Sequence, residues 1–175
     1  MIYLMRHFKV KDTSTTWMNS AQFEQWVKDY DTFDLHYTQV DFPNIEIVYV
    51  SSQMRALKTA DFVCHKYQIS DLVREVDAKV FIKTSLLLPT WLWLVIARIQ
   101  WYFNMSEGEN RIDTVQRINE FFKTCDLTKN MCIISHGFVM KTIIKVLKKR
   151  GFYGNHTITP QNGRLYAFSN LATTE

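Results

Sequence analysis

With 175 residues, 47% of them hydrophobic and 22% charged, the chain has the composition of one folded domain and not of a disordered segment. Its net charge of +4 comes from 21 basic and 17 acidic side chains scattered along the sequence. That is too mild and too dispersed for a nucleic-acid surface, and it suits a small anionic ligand instead.

IYLM at 2–5 is a short apolar run ending in the polar pair Arg6-His7, the pattern of a buried strand that stops at a functional edge. This apolar start is too short for a secretory signal. Residues 20–30 predict a helix capped by Ser20, with Phe23, Trp26, Val27 and Tyr30 on one face. IEIVYV at 45–50 is β-branched and aromatic and predicts a central strand. Residues 53–66 predict a helix with Met54, Leu57, Ala60 or Asp61, and Cys64 at helical spacing, and LVREV at 72–76 predicts a short strand. Residues 90–103 predict a very apolar helix after Pro89. The apolar stretch 85–97 covers 13 residues, short of the roughly 20 that a membrane span needs, and Pro89 interrupts it, so no transmembrane segment is expected. Residues 112–124 place Ile112, Val115, Ile118, Phe121 and Phe122 on an amphipathic helix. MCIIS at 131–135 predicts another buried strand, and 138–149 a helix stopped by Gly151. RLYAF at 164–168 predicts a last strand after an Asn162-Gly163 turn. The run Lys145, Lys148, Lys149 and Arg150 reads as a solvated helix end that answers the helix dipole.

This alternation of strands and helices predicts a three-layer α/β domain with a mainly parallel sheet. Such sheets bind ligands at the carboxyl ends of their strands, and three of the strands end in chemically loaded residues. After the first stands Arg6-His7. A neutral imidazole is a competent nucleophile, and neighbouring arginines help keep it neutral. After the second, Ser51-Ser52 leads into a helix whose first turn carries Arg55. There the free amides and the guanidinium fork both suit phosphate oxygens. After the third, Ser135-His136-Gly137 opens a helix. His136 can donate to a phosphate oxygen, and Gly137 permits a tight turn or a close approach. Cys64, Cys125 and Cys132 form neither a paired framework nor a C-x-x-C motif, so reduced thiols and a cytoplasmic location are expected.

Taken in order, three motifs resemble those of the histidine phosphatase superfamily, also called phosphoglycerate-mutase-like. They are Arg6-His7, the run Ser51, Arg55, Ala56, Thr59 and Ala60, and Ser135-His136-Gly137, and they span residues 6–137. The resemblance implies a mixed, mostly parallel sheet with helices on both faces. It implies that His7 is the phosphorylated nucleophile, that Arg6, Arg55 and His136 hold the phosphate, and that neither metal nor cofactor is needed. The acid of that family falls between the second and third motifs, where Glu75 stands, with Asp77 as the second candidate. Gly108, Glu109 and Arg117 match a further family pattern and read as structural. Two departures stand out. Phe8 replaces the usual glycine after the catalytic histidine, and its ring is expected to crowd or line the pocket. The Gly-x-x-Glu-Gly run of mutases is absent, and residues 78–82 read AKVFI.

The resulting expectation is a metal-independent phosphomonoester hydrolase acting on a small phosphorylated substrate. The alternatives are a phosphoglycerate-type mutase and a non-catalytic phosphate-binding regulatory module. The domain is expected to run over 1–175 with an aromatic-rich lid or insert at about 84–104, and its 90–103 helix is a candidate homodimer contact. No short histidine spacing of the kind that binds metal is present.

Overall fold

In the computed structural model of the chain, which describes residues 1–14, 16–105 and 108–170, strands and helices alternate. The strands are β1 (Ile2–Arg6), β2 (Lys9–Val10), β3 (Trp17–Met18), β4 (Leu35–His36), β5 (Ile47–Ser51), β6 (Gln68–Ser70), β7 (Leu88–Pro89), β8 (Met131–Ser135), β9 (Phe152–Tyr153) and β10 (Leu165–Asn170). The helices are α1 (Ser20–Asp29), α2 (Met54–Val63), α3 (Thr90–Tyr102), α4 (Arg111–Thr124) and α5 (Gly137–Lys149). The last five residues of the expected domain, 171–175, lie outside the described residues.

Six strands form one sheet in the order β6-β5-β8-β1-β10-β9. The pairs β6–β5, β5–β8 and β8–β1 are parallel, while β1–β10 and β10–β9 are antiparallel, so the sheet is mixed and mainly parallel. Alternation along the central strands divides the core. Ile2, Leu4, Met131 and Ile133 face α4 and α5, where Ile118, Phe121, Val139 and Ile143 meet them. Met5, Val50, Cys132 and Ile134 face α2, which supplies Ala56 and Ala60. β8 is buried at every position, as expected for a parallel strand covered on both faces. A third cluster joins α1 and α3 through Met18, Phe23, Trp93 and Ala97. There Phe23 stacks on Trp93, whose indole N–H donates to the Met18 carbonyl at 2.7 Å.

Several local expectations are corrected. Asn19, not Ser20, caps α1. It forms a reciprocal capping box with Gln22, while the Ser20 hydroxyl donates to the Thr84 carbonyl. Residues 72–76 form no strand. The edge strand lies earlier, at 68–70, and a single 3-10 turn follows at Asp71–Val73. Arg117 takes the carbonyls of Leu72 and Arg74, where a strand would need a backbone partner. In α2 the buried face is Arg55, Ala56, Thr59 and Ala60; of the predicted stripe Ala60 is fully buried and Met54 is exposed, because the buried face carries polar residues toward the site. The α3 helix is buried on one side only, through Trp93, Ala97, Gln100 and Trp101. Among the described residues no helix is long and apolar enough to cross a membrane.

Candidate active site

The parallel register sets three loaded strand ends side by side. Arg6 pairs with Ser135 across β1–β8, and Val50 pairs with Ile134 across β5–β8, which leaves Ser51 beside Ser135. A cavity of about 330 Å³ opens at this edge. It is lined by Arg6, His7 and Arg55, by Glu75 and Gly137, and by side chains at α1 and α3, among them Tyr30 and Arg98.

His7 is buried, and its Nδ1–H donates to the Phe8 carbonyl at 2.7 Å. With the proton fixed on Nδ1, the lone pair of the neutral ring lies on Nε2. Burial pushes the His7 pKa down to about 3, and the Arg55 and Arg6 charges push in the same direction, against the Phe8 hydrogen bond. Desolvation is therefore the larger cause of neutrality, ahead of the arginines. The loop behind His7 is fastened twice: Phe8 N–H donates to Thr59 Oγ1 at 3.0 Å, and Asn162 Nδ2 donates to the His7 carbonyl at 2.8 Å. Phe8 does not line the cavity. It is 1% exposed and packs edge-on beneath the exposed rings of Tyr37 and Phe62, beside the positive-φ turn at Gly163.

Arg6 reaches over the start of α5 and donates from Nη1 to the Pro160 carbonyl at 2.9 Å. Its Nε is buried without a partner among the described residues. Gly137 makes this placement sterically allowed: a Cβ there would lie 2.7 Å from Arg6 Cζ. Its φ is not positive, so the residue provides space for a neighbouring side chain and not a special turn.

Arg55 donates from Nε to His136 Nδ1 at 3.1 Å, from Nη1 to Asp31 at 2.8 Å, and from Nη2 to Gln53 at 3.1 Å. Each terminal nitrogen carries two hydrogens and so keeps a second N–H for a ligand. His136 is completely buried. Its ring centre is 5.0 Å from that of His7, and burial together with Arg55 holds its pKa well below the usual histidine value. Because Nδ1 accepts from Arg55, Nε2 carries the proton and donates to Ser51 Oγ at 2.7 Å. In this arrangement His136 stands behind the cavity and braces Arg55.

Glu75 lines the cavity, and its carboxylate caps α5. Oε2 accepts from Phe138 N–H, and Oε1 from Val139 N–H and Val76 N–H, at 2.9 to 3.0 Å. Its own amide donates to Gln53 Oε1, which also holds Arg55. The segment is clamped from below: Arg117 pairs with Glu109 and takes the Leu72 and Arg74 carbonyls, and Arg74 also pairs with Glu109. Asp77 also lines the cavity, but its carboxylate is 61% exposed and meets Lys79 at 3.8 Å.

Of the predicted site residues, His7, Arg6, Arg55 and Glu75 surround one cavity, and His136 lies directly behind it. Sequence reasoning missed Asp31 and Gln53. Asp31 accepts from Arg55 and from the first amides of α2, and it sits in a loop with no local pattern to reveal it. It also missed Arg98, although a lone charge within an apolar helix was a signal. Among the described residues, no group of His, Cys, Asp and Glu is arranged to hold a metal ion.

The fold and this edge define an α/β protein with histidine and arginine side chains gathered at one cavity. The chain belongs to the histidine phosphatase superfamily (branch 1), whose sequence profile it matches over residues 2–169. Solved structures agree in fold. TTHB049 from Thermus thermophilus is 16% identical and superposes with a TM-score of 0.54, covering 94% of this chain and 90% of that one. The product of the open reading frame Rv3214 from Mycobacterium tuberculosis is 13% identical with a TM-score of 0.56, over 94% of this chain and 88% of that one. A comparison with curated proteins gives no match.

Proposed function

We propose that the chain is a metal-independent phosphomonoester hydrolase that passes the phosphoryl group through His7. One observation carries this reading: a buried, neutral His7 lines the same cavity as Arg55 and as Arg6, whose buried Nε has no partner among the described residues. An anion placed there would meet charge-assisted donors in a desolvated site, where they are strongest.

Phosphate oxygens take the free N–H groups of Arg6 and Arg55. His7 Nε2 attacks phosphorus, and the N–P bond forms as the ester P–O bond breaks. The Phe8 carbonyl steadies the imidazole through Nδ1–H. A proton that enters with the substrate monoanion passes through the Glu75 carboxylate to the leaving oxygen, and Glu75 then takes one from the water that cleaves phosphohistidine. His136 Nε2–H turns from Ser51 Oγ to a phosphate oxygen when substrate is bound. The missing Gly-x-x-Glu-Gly run favours transfer to water over transfer between hydroxyls. A cytoplasmic setting belongs to the same reading and rests on three free thiols, and the 84–104 segment is read as an insert roofing the site.

The test is phosphate release from phenyl phosphate in excess chelator, beside a coupled assay for interconversion of 2- and 3-phosphoglycerate. Release that survives the chelator, without interconversion, is expected. Strict dependence on added divalent metal, or efficient interconversion, contradicts the proposal.

A further inference from the structure

The cavity is bordered by a second depression that the reaction does not use. This is a groove of about 410 Å³ on the outer side of α3, with an almost wholly apolar lining. Val95, Ile99 and Phe103 line it and are 44%, 51% and 64% exposed. A helix at a protein surface normally turns charged residues to water, and contiguous exposed apolar side chains mark a binding surface.

Two features say what covers this one. Leu94, Arg98 and Phe138 line both the groove and the catalytic cavity, so an occupant of one abuts the other. Among the described residues, Arg98 is the only charged member of the groove lining. Its guanidinium lies 4.0 Å over the Phe138 ring and donates to the Val76 carbonyl at 3.0 Å, at the edge of the cavity. Its aliphatic stem covers apolar surface while its charge sits toward the phosphate end. Cationic at one end and apolar at the other, the combined site has the polarity of an amphiphile with an anionic head.

We infer that the substrate is the monophosphate of a long-chain alcohol, with its phosphate at His7 and its apolar chain along the α3 groove. This rests on the phosphatase reading and narrows it to a substrate class. Burying one methylene is worth a factor of about four at full burial. The specificity constant therefore rises about twofold to fourfold per methylene until the groove is filled.

The experiment measures kcat/KM for the series from butyl to dodecyl phosphate, kept below micelle formation, with phenyl phosphate as the short reference. Wild type is compared with Val95→Glu and Ile99→Glu, exposed positions outside the catalytic groups. The expected result is a rise with chain length that both variants flatten, with phenyl phosphate turnover unchanged. Equal kcat/KM along the series, or a rise that persists in both variants, overturns the inference. Calorimetric titration with the matching alkyl phosphonates reads the same slope without turnover, so failure of catalysis and failure of the groove are distinguishable. A flat series together with a dimer that Ile99→Glu dissociates would assign the face to a second copy of the chain. Pelleting of the protein with phosphatidylcholine vesicles, with a flat series, would assign it to a bilayer. Either result overturns the inference.

Discussion

Replacing Gly137 by alanine separates packing from function at this site. The new Cβ would sit 2.7 Å from Arg6 Cζ and 2.8 Å from Arg6 Nε, closer than such atoms approach. The obstructing group is the end of a flexible side chain, so the arginine swings away and the backbone stays in place. Gly137 has no positive φ that alanine would strain, and alanine is the better helix former by up to about 1 kcal/mol. Stability should therefore change by no more than about 1 kcal/mol. Function should not survive so well. A hydrogen bond to a charged group is worth about 1.5–3 kcal/mol, so removing the Arg6 contact lowers kcat/KM by roughly 10- to 150-fold. The assay pairs phenyl phosphate kinetics with urea unfolding. A variant with kcat/KM within about twofold of wild type would refute the assignment of Arg6 to phosphate.

Other perturbations probe the acid and the buried histidines. Glu75→Gln should lower turnover of alkyl phosphates by about 10²- to 10⁴-fold while sparing 4-nitrophenyl phosphate, whose leaving group needs little protonation. Equal losses on both would transfer the role to Asp77. The same substitution removes a negative charge from the start of α5 and replaces one accepting oxygen by an NH2 group that cannot accept the backbone N–H facing it, so it should cost about 1–3 kcal/mol of stability, read by thermal or urea unfolding. His7 and His136 have lowered pKa values in the folded state, His7 at about 3, so between roughly pH 6.5 and that value the unfolded chain binds more protons. Their contribution to stability is thus complete above about pH 6.5 and is lost as pH falls through that window, by up to about 1.4 kcal/mol per pH unit for each ring. Urea midpoints at pH 7 and pH 4.5 should show this loss, and His7→Gln should reduce it. An equal loss in the variant would mean that His7 is not desolvated.

Much of this organisation was legible in the sequence because chemistry and local periodicity coincided there. The strands at 2–5 and 131–135 are short apolar runs bounded by polar residues, and the sheet buries them at the register that brings Arg6 beside Ser135. The helix at 53–66 is found where periodicity puts it, but its buried face is not, because α2 buries Arg55 and Thr59, which a hydrophobic stripe does not count. The strand expected at 72–76 does not form because its carbonyls are taken by the side chain of Arg117, far along the sequence. Asp31 and Gln53 reach Arg55 across a loop and a helix start, and nothing in their immediate neighbours reports such a contact. Phe8 escapes its expected place at the pocket for a related reason: its ring is drawn to Tyr37 and Phe62, which are distant in sequence.

The central claim is that His7 carries the phosphoryl group. Rapid quench with labelled phenyl phosphate, followed by peptide mapping under alkaline conditions, addresses it directly. The account predicts an acid-labile, base-stable label on the peptide containing His7, absent in a folded His7→Ala protein that no longer turns over substrate. Steady turnover by wild type with no label on His7, under quench conditions that trap a phosphohistidine standard, would contradict it and point to direct attack by water.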